Sequence, residues 1–365
     1  MKIERVFIHK SSRKKKAARE IIAKFNPGEV IAVENVLEVN RILEEYPDPW
    51  LAGKRSIYLA EFQGKFFEPC PCTQEYFNCG YWNLHPMSGC PIDCSYCILQ
   101  GYLTAYPIQV YLNLEDLFSQ VQDFARKHPG AKLRVGTGEL ADSLALEPEL
   151  GYAKELIEFF KAQKNFIFEL KTKSGNIEIL NDFAPSENIL VSWSVNPAQA
   201  VAAEERSSAS ITARLEAAQK AARLGFPVGF HFDPILESCG FGQYLALIDR
   251  IFAMVPADKI AWISLGSLRF PSRLKPLLKD RHPQSRVLGG ELFPGRDGKF
   301  RYLRPVREKI YKAMISRIRE HSRAVLVYLC MESEEMWQRL LCEPPALVRK
   351  ELATALSARK IFRPG

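Results

Sequence analysis

Ser88-Gly-Cys-Pro-Ile-Asp-Cys-Ser-Tyr-Cys-Ile-Leu-Gln-Gly-Tyr102 carries three thiols, Cys90, Cys94 and Cys97, at C-x3-C-x2-C spacing, with the aromatic Tyr96 directly before the third. A tight loop with this spacing places three sulfurs around one face of a [4Fe-4S] cube. Such clusters normally take four thiolates, so three leave one iron without a protein ligand. An open iron is a reaction site, by the logic that keeps one position open in catalytic zinc centres. The competing interpretations are a structural zinc knuckle and chance clustering in a Cys-rich loop. Structural zinc usually brings Cys pairs two to four residues apart and a matched second pair.

Outward from this loop the chain alternates. Strand-like segments fall at residues 108–113, 132–136, 166–171, 189–195, 227–232 and 259–265, and helix-like segments lie between them at 114–127, 149–162, 176–182, 210–224 and 242–255. In Leu114-Glu-Asp-Leu-Phe-Ser-Gln-Val-Gln-Asp-Phe-Ala125 the apolar residues recur mostly three or four apart, as on one helical face. Strands alternating with helices imply βα units, a parallel sheet and right-handed crossovers. The expected fold class is therefore α/β, a partial barrel. In such folds chemistry gathers at the C-terminal ends of the strands. The cluster loop, Gly136-Thr-Gly-Glu139, Lys171-Thr-Lys173, Ser194-Val-Asn196 and Asp233-Pro-Ile-Leu-Glu-Ser-Cys239 all fall there.

The flanks differ from this rhythm. Residues 4–8 and 29–34 are expected as strands and the stretches to Phe25 and from Val36 to Glu45 as helices, which makes residues 1–80 a small N-terminal α/β region. Residues 55–67 alternate as in a strand pair. The barrel is expected over 81–288. Residues 289–365 form a C-terminal extension, a Gly/Pro-rich link followed by helices to about residue 361. Before the cluster loop, Cys70, Cys72 and Cys79 form a second cysteine patch, either an auxiliary iron-sulfur or metal site or a set of buried thiols.

Nine cysteines, six of them between Cys70 and Cys97, do not form a disulfide framework in a chain of 365 residues. Reduced, metal-binding thiols in the cytoplasm fit better. No run of about 18 apolar residues supports a membrane span, and the start shows no secretory signal. The formal charge of +8 permits a polyanionic partner without requiring one. The basic run from His9 to Arg19 suits phosphates or a solvated helix start.

C-x3-C-x2-C with an aromatic before the last Cys resembles the signature of the radical SAM enzymes. With Tyr111-Leu-Asn-Leu-Glu-Asp-Leu117, Thr172-Lys173, Ser194-Val-Asn196, and Gly225-Phe-Pro-Val-Gly-Phe230 followed by Pro234-Ile, the chain resembles the spore photoproduct lyase family over about residues 55–310. The resemblance implies a partial (β/α)6 radical SAM barrel. It implies a [4Fe-4S] cluster on Cys90, Cys94 and Cys97, S-adenosylmethionine as cofactor, and a 5′-deoxyadenosyl radical aimed at a DNA lesion or nucleic-acid base. A one-electron reductant such as a flavodoxin or ferredoxin, and a nucleic-acid partner, come with it. Tyr96, Lys173 and Ser194 match residues that meet the cofactor, Lys173 through its carboxylate.

Two positions depart from the family. Its hydrogen-donating Cys corresponds to Glu139, which loosely resembles the Gly-Gly-Glu motif that holds the cofactor's amino group elsewhere among radical SAM enzymes. Its relay tyrosine corresponds to Ile98. Cys239, after the 227–232 strand, is the thiol expected to quench the product radical, with an ordinary loop cysteine or a fourth ligand to a metal on Cys70, Cys72 and Cys79 as its other roles. Arg301, Arg304, Arg307 and Lys309 are expected either to meet phosphates or to form a solvated helix start. Two other functions stay open: radical chemistry on a non-nucleic-acid substrate, and a non-catalytic iron-sulfur protein that binds nucleic acid.

Overall fold

Apolar, β-branched runs such as Phe166–Thr172, Ile189–Ser194 and Ile260–Ser267 are buried almost throughout. Strands covered on both faces belong in a parallel sheet wrapped by helices. The computed structural model, which describes residues 2–73 and 75–358, builds that sheet from eight strands. Their order is Leu326–Leu329, Ile260–Ser267, Val228–Ile235, Ile189–Ser194, Phe166–Thr172, Leu133–Gly136, Tyr81–Leu84 and Phe67–Pro69. All neighbours pair in parallel except the last, where Phe67–Pro69 runs antiparallel to Tyr81–Leu84. The sheet curls into a half-barrel, the α/β architecture expected.

Helices Leu114–Lys127, Tyr152–Lys161, Ile211–Arg223 and Phe241–Met254 stand where the apolar periodicity placed them. The stretch 176–182 is a short 3-10 turn, Glu178–Asp182, rather than an α-helix. Ser210 caps Ile211–Arg223 by accepting from the Ala213 N–H, which satisfies one otherwise orphaned donor of the first turn. Trp193, Trp262 and Trp337 are wholly buried.

A second sheet, in the order Glu29–Val33, Arg5–His9, Ser56–Ala60, Ile108–Tyr111 and Met87–Ser88, lies in the N-terminal part. Here the structure corrects one expectation. The strand at 108–113 is not a barrel strand; Ile108–Tyr111 pairs in parallel with Ser56–Ala60. The Asn113 side chain locks it there, accepting from Phe62 N–H and donating to Phe62 C=O, both at 2.9 Å. Tyr81–Leu84 takes its place in the barrel. Of the strand pair expected at 55–67, Ser56–Ala60 enters this sheet and Phe67–Pro69 the other.

The C-terminal part is not helical throughout. Arg304–His321, Glu334–Leu341 and Pro345–Ala358 are helices, but Leu326–Leu329 between them is the edge strand of the barrel sheet. The Gly/Pro-rich link folds as a hairpin of Leu292–Pro294 and Phe300–Tyr302 that also pairs with Arg269–Phe270. The expected helix end near residue 361 lies outside the described residues. Strands thus cross the sequence boundaries drawn at 80 and 288.

Candidate active site

The strand ends and the cluster loop enclose a cavity of about 560 Å³. Its floor depends on Gly136. A Cβ there would stand 2.1 Å from the Tyr81 hydroxyl oxygen and 2.6 Å from the Glu169 carbonyl oxygen, so only glycine lets these strands approach.

Cys90, Cys94 and Cys97 line one side of this cavity. Their loop is braced from behind. Buried Lys54 donates to the carbonyls of Cys90 (3.2 Å) and Ile92 (2.7 Å), and Gln100 to that of Cys94 (3.1 Å). Arg281 bridges Asp48 and Asp93 at 2.9 and 3.2 Å. A two-residue antiparallel ladder sets Cys94 opposite Glu205. Burial, with the Asp142 carboxylate nearby, pushes the Cys90 thiol up to about 12, and burial likewise pushes Cys94 up. A metal cluster reverses that preference, because a coordinating thiol is deprotonated outright. Three soft donors on a braced loop at the edge of an open cavity fit a cluster with one free corner.

Beside the loop stands a closed polar network. The Tyr96 hydroxyl donates to Glu205, whose carboxylate also accepts from Asn196 (3.0 Å) and from buried Arg214. Arg214 donates in addition to the Ser194 carbonyl at 2.8 Å, and Tyr244 donates to Asn196 at 2.8 Å. Lys173 holds its ammonium 5.8 Å from the centre of the Tyr96 ring. Burial works against its charge, but Cys94 and Glu205 outweigh it and raise its pKa. Asp142 positions this lysine, accepting from the Lys173 N–H at 2.6 Å and from the Thr172 hydroxyl at 2.6 Å. Tyr96, Lys173 and Ser194 therefore border the same space as the three thiols.

The opposite wall is charged. Glu169 accepts from the His231 ring at 2.7 Å and from the Trp262 indole N–H at 3.3 Å. Burial disfavours its charge, yet His231 and Arg134 bring its pKa down to about 2. Asp233 holds Arg269 through two bonds of 2.8 and 3.0 Å. Arg134 is packed among the rings of Tyr81, Trp262 and Tyr328 at 4.6 to 5.0 Å. The Tyr81 hydroxyl, Arg134 Nε and Nη1, Glu169 Oε2 and Asn83 Oδ1 are buried without a partner. Glu139 also faces the cavity, with its carboxylate ion-paired to Lys171.

The family model for spore photoproduct lyase matches residues 81–323. The chain belongs to this family. Two curated spore photoproduct lyases match over 204 residues: that of Geobacillus sp. (strain Y412MC61) at 27% identity and that of Bacillus subtilis (strain 168) at 24%. The match covers 55% of this chain and spans about 60% of the length of each relative. Among solved structures, a spore photoproduct lyase complexed with dinucleoside spore photoproduct superposes with a TM-score of 0.77. It is 20% identical, covering 90% of this chain and 98% of that one. A mutant lyase with bound AdoMet and dinucleoside spore photoproduct gives 0.75 at the same identity and coverage.

Within this family frame, the side chains expected from sequence divide. The three cluster cysteines, Tyr96, Glu139, Lys173, Ser194 and Ile98 all line the cavity. Cys239 does not. It sits half-buried on the turn Glu237–Cys239, near Tyr244 and Ser238. The thiol that does reach the cavity from a late strand is Cys330. The basic residues in and after the hairpin have partners within the protein. Arg301 is buried on Asp297 at 2.7 Å, Arg307 is buried on Glu332 at 3.1 Å, and Arg304 pairs with Glu308 and Glu335. Lys309 lies over the Phe241 ring. Asp142, Glu205 and Arg214 escaped notice because ordinary charged residues in loops and helices carry no spacing signal.

Among the described residues no three His, Cys, Asp or Glu side chains converge on a single ion, and no helix is long and apolar enough to cross a membrane.

Proposed function

We propose that this chain holds a [4Fe-4S] cluster on Cys90, Cys94 and Cys97, binds S-adenosylmethionine beside it, and directs the resulting radical at a nucleic-acid lesion or modified base. The observation that carries this is the gathering of three thiols, Lys173, Tyr96 and Ser194 around one cavity in a member of the spore photoproduct lyase family. When bound, the cluster supplies the electron that splits the cofactor's sulfonium to give a 5′-deoxyadenosyl radical. The chain's own residues orient and exclude. Lys173 meets the cofactor carboxylate, Ser194 adds a hydroxyl, and Tyr96 packs beside it, held by Glu205. A low-potential one-electron donor of the flavodoxin or ferredoxin kind reduces the cluster.

The solved lyases that bind dinucleoside spore photoproduct support a lesion as the substrate class. Glu139 has no thiol hydrogen to give, so the product radical meets a different fate here. The cavity wall of His231, Asp233 and Arg269, together with internally paired Arg301, Arg304 and Arg307, favours a second interpretation in which the substrate is not nucleic acid.

The test is anaerobic incubation of reconstituted protein with adenosylmethionine, dithionite and a dinucleotide spore photoproduct. 5′-Deoxyadenosine is expected, and changing Cys90, Cys94 and Cys97 to Ala should abolish it. A triple variant that still cleaves the cofactor ends the proposal. A DNA titration across salt separates the substrate classes, since phosphate contacts give a steep salt slope.

A further inference from the structure

Seven of the nine cysteines line the one cavity. Three belong to the braced loop. The other four are Cys70, Cys72 and Cys79, on the connection between Phe67–Pro69 and Tyr81–Leu84, and Cys330, directly after Leu326–Leu329. These two strands, Tyr81–Leu84 and Leu326–Leu329, belong to widely separated parts of the chain and of the sheet order, so no local sequence constraint gathers the four thiols. Cys79 stands close enough to Cys70, Cys72 and Cys330 to act electrostatically on each. Cys72 Sγ also lies 3.6 Å from Met331 Sδ, which presses the 70–79 connection against the residue following Cys330.

Guanidinium nitrogens face two of the four sulfurs. Arg134 Nη2 points at Cys79 Sγ and Arg269 Nη2 at Cys330 Sγ, each at 3.2 Å. Arg134 keeps Nε and Nη1 buried and unpartnered beside them. N–H groups aimed at the sulfurs of an iron-sulfur cluster are a usual means of tuning it. A single tetrahedral ion is a poor fit, because no three of these side chains converge on one point. A cubane does not need convergence, since each thiolate meets its own iron at a separate corner.

We infer that Cys70, Cys72, Cys79 and Cys330 bind a second [4Fe-4S] cluster, with all four irons capped by protein. Full capping leaves no open corner for adenosylmethionine, in contrast to the cluster on Cys90, Cys94 and Cys97. The inference concerns a different set of thiols from the proposed radical-generating three and is tested without substrate.

Iron and sulfide are counted in anaerobically reconstituted full-length protein. Wild type should hold about eight of each, the content of two such clusters. The Cys90→Ala/Cys94→Ala/Cys97→Ala variant should keep about four irons and a reduced-cluster electron paramagnetic resonance signal that adenosylmethionine leaves unchanged. The Cys70→Ala/Cys330→Ala variant should also keep about four, with a signal that adenosylmethionine perturbs. Wild type holding only about four irons overturns the inference, and needs no variant to fold. So does a triple variant without iron, or zinc in place of the second set of irons.

Discussion

The wall around Tyr96 and the wall around Tyr81 use the same kinds of residue, a buried tyrosine, a glutamate and an arginine, and finish them differently. On the first, Tyr96, Glu205, Asn196, Arg214 and Tyr244 pass hydrogen bonds from one to the next. On the second, the Tyr81 hydroxyl, two nitrogens of Arg134 and one oxygen of Glu169 have no partner. Each buried orphan costs about 1–3 kcal/mol. A fold bears that cost where a ligand or ordered water will meet the group. The contrast teaches that the Tyr96 wall is satisfied within the protein, while Tyr81 and Arg134 line the cavity with polar atoms left to meet whatever enters it.

The largest effect that would test this contrast belongs to the Tyr96 wall. Arg214→Met strands the Glu205 carboxylate, and breaking a buried pair from one side costs about 3–5 kcal/mol. A urea midpoint lowered to match is expected; a shift below about 1 kcal/mol would mean that the network does not hold the wall together.

Glu169 comes next, at about 3 kcal/mol, the worth of a carboxylate whose pKa falls from 4.5 to about 2 on folding. The folded value is depressed, so this stabilisation is complete above about pH 4.5 and disappears as the pH falls through about 2. Glu169→Gln should therefore be less stable than wild type at neutral pH, and the gap in urea midpoints should close on acidification. A gap independent of pH would show that the charge on Glu169 contributes nothing.

Lys173→Ala should leave stability nearly intact and weaken adenosylmethionine binding by about 1.5–3 kcal/mol, the scale of a hydrogen bond to a charged group. Calorimetric binding unchanged from wild type would remove the lysine from the cofactor site. The smallest effect sharpens the comparison most. Tyr81→Phe deletes a hydroxyl that no protein group uses, so stability should move by no more than about 0.5 kcal/mol, while substrate binding falls. Destabilisation well beyond that would mean that the Tyr81 hydroxyl is satisfied within the protein.

Much of the barrel was legible because its strands are short, apolar and separated by amphipathic helices. The cluster loop was legible because metal ligation demands fixed spacing. Sheet membership was not, since Ile108–Tyr111 carries the same pattern whichever sheet it joins; the Asn113 bonds to Phe62 decide it. Leu326–Leu329 was hidden among helices, although Val325-Leu-Val-Tyr-Leu329 is β-branched and apolar enough to mark a buried strand. Missing it meant missing that Cys330, which follows it, lines the cavity. Arg301 and Arg307 were ambiguous for a different reason: a basic run shows its charge but not the acidic partners, Asp297 and Glu332, that the fold brings to it.

The edge strand Leu326–Leu329 also orders events in the life of the molecule. Parts of a chain that emerge first fold first during synthesis, and the loop with Cys90, Cys94 and Cys97 emerges long before Cys330. Until the strand pairs with Ile260–Ser267, the cavity stays open along that edge and the 70–79 connection lacks its contact with Met331. A nascent chain can thus display its thiols before it can shelter what they bind. Loading with the oxygen-sensitive iron proposed above would therefore be sheltered only once this edge strand has paired, well after the cysteines of the loop have emerged.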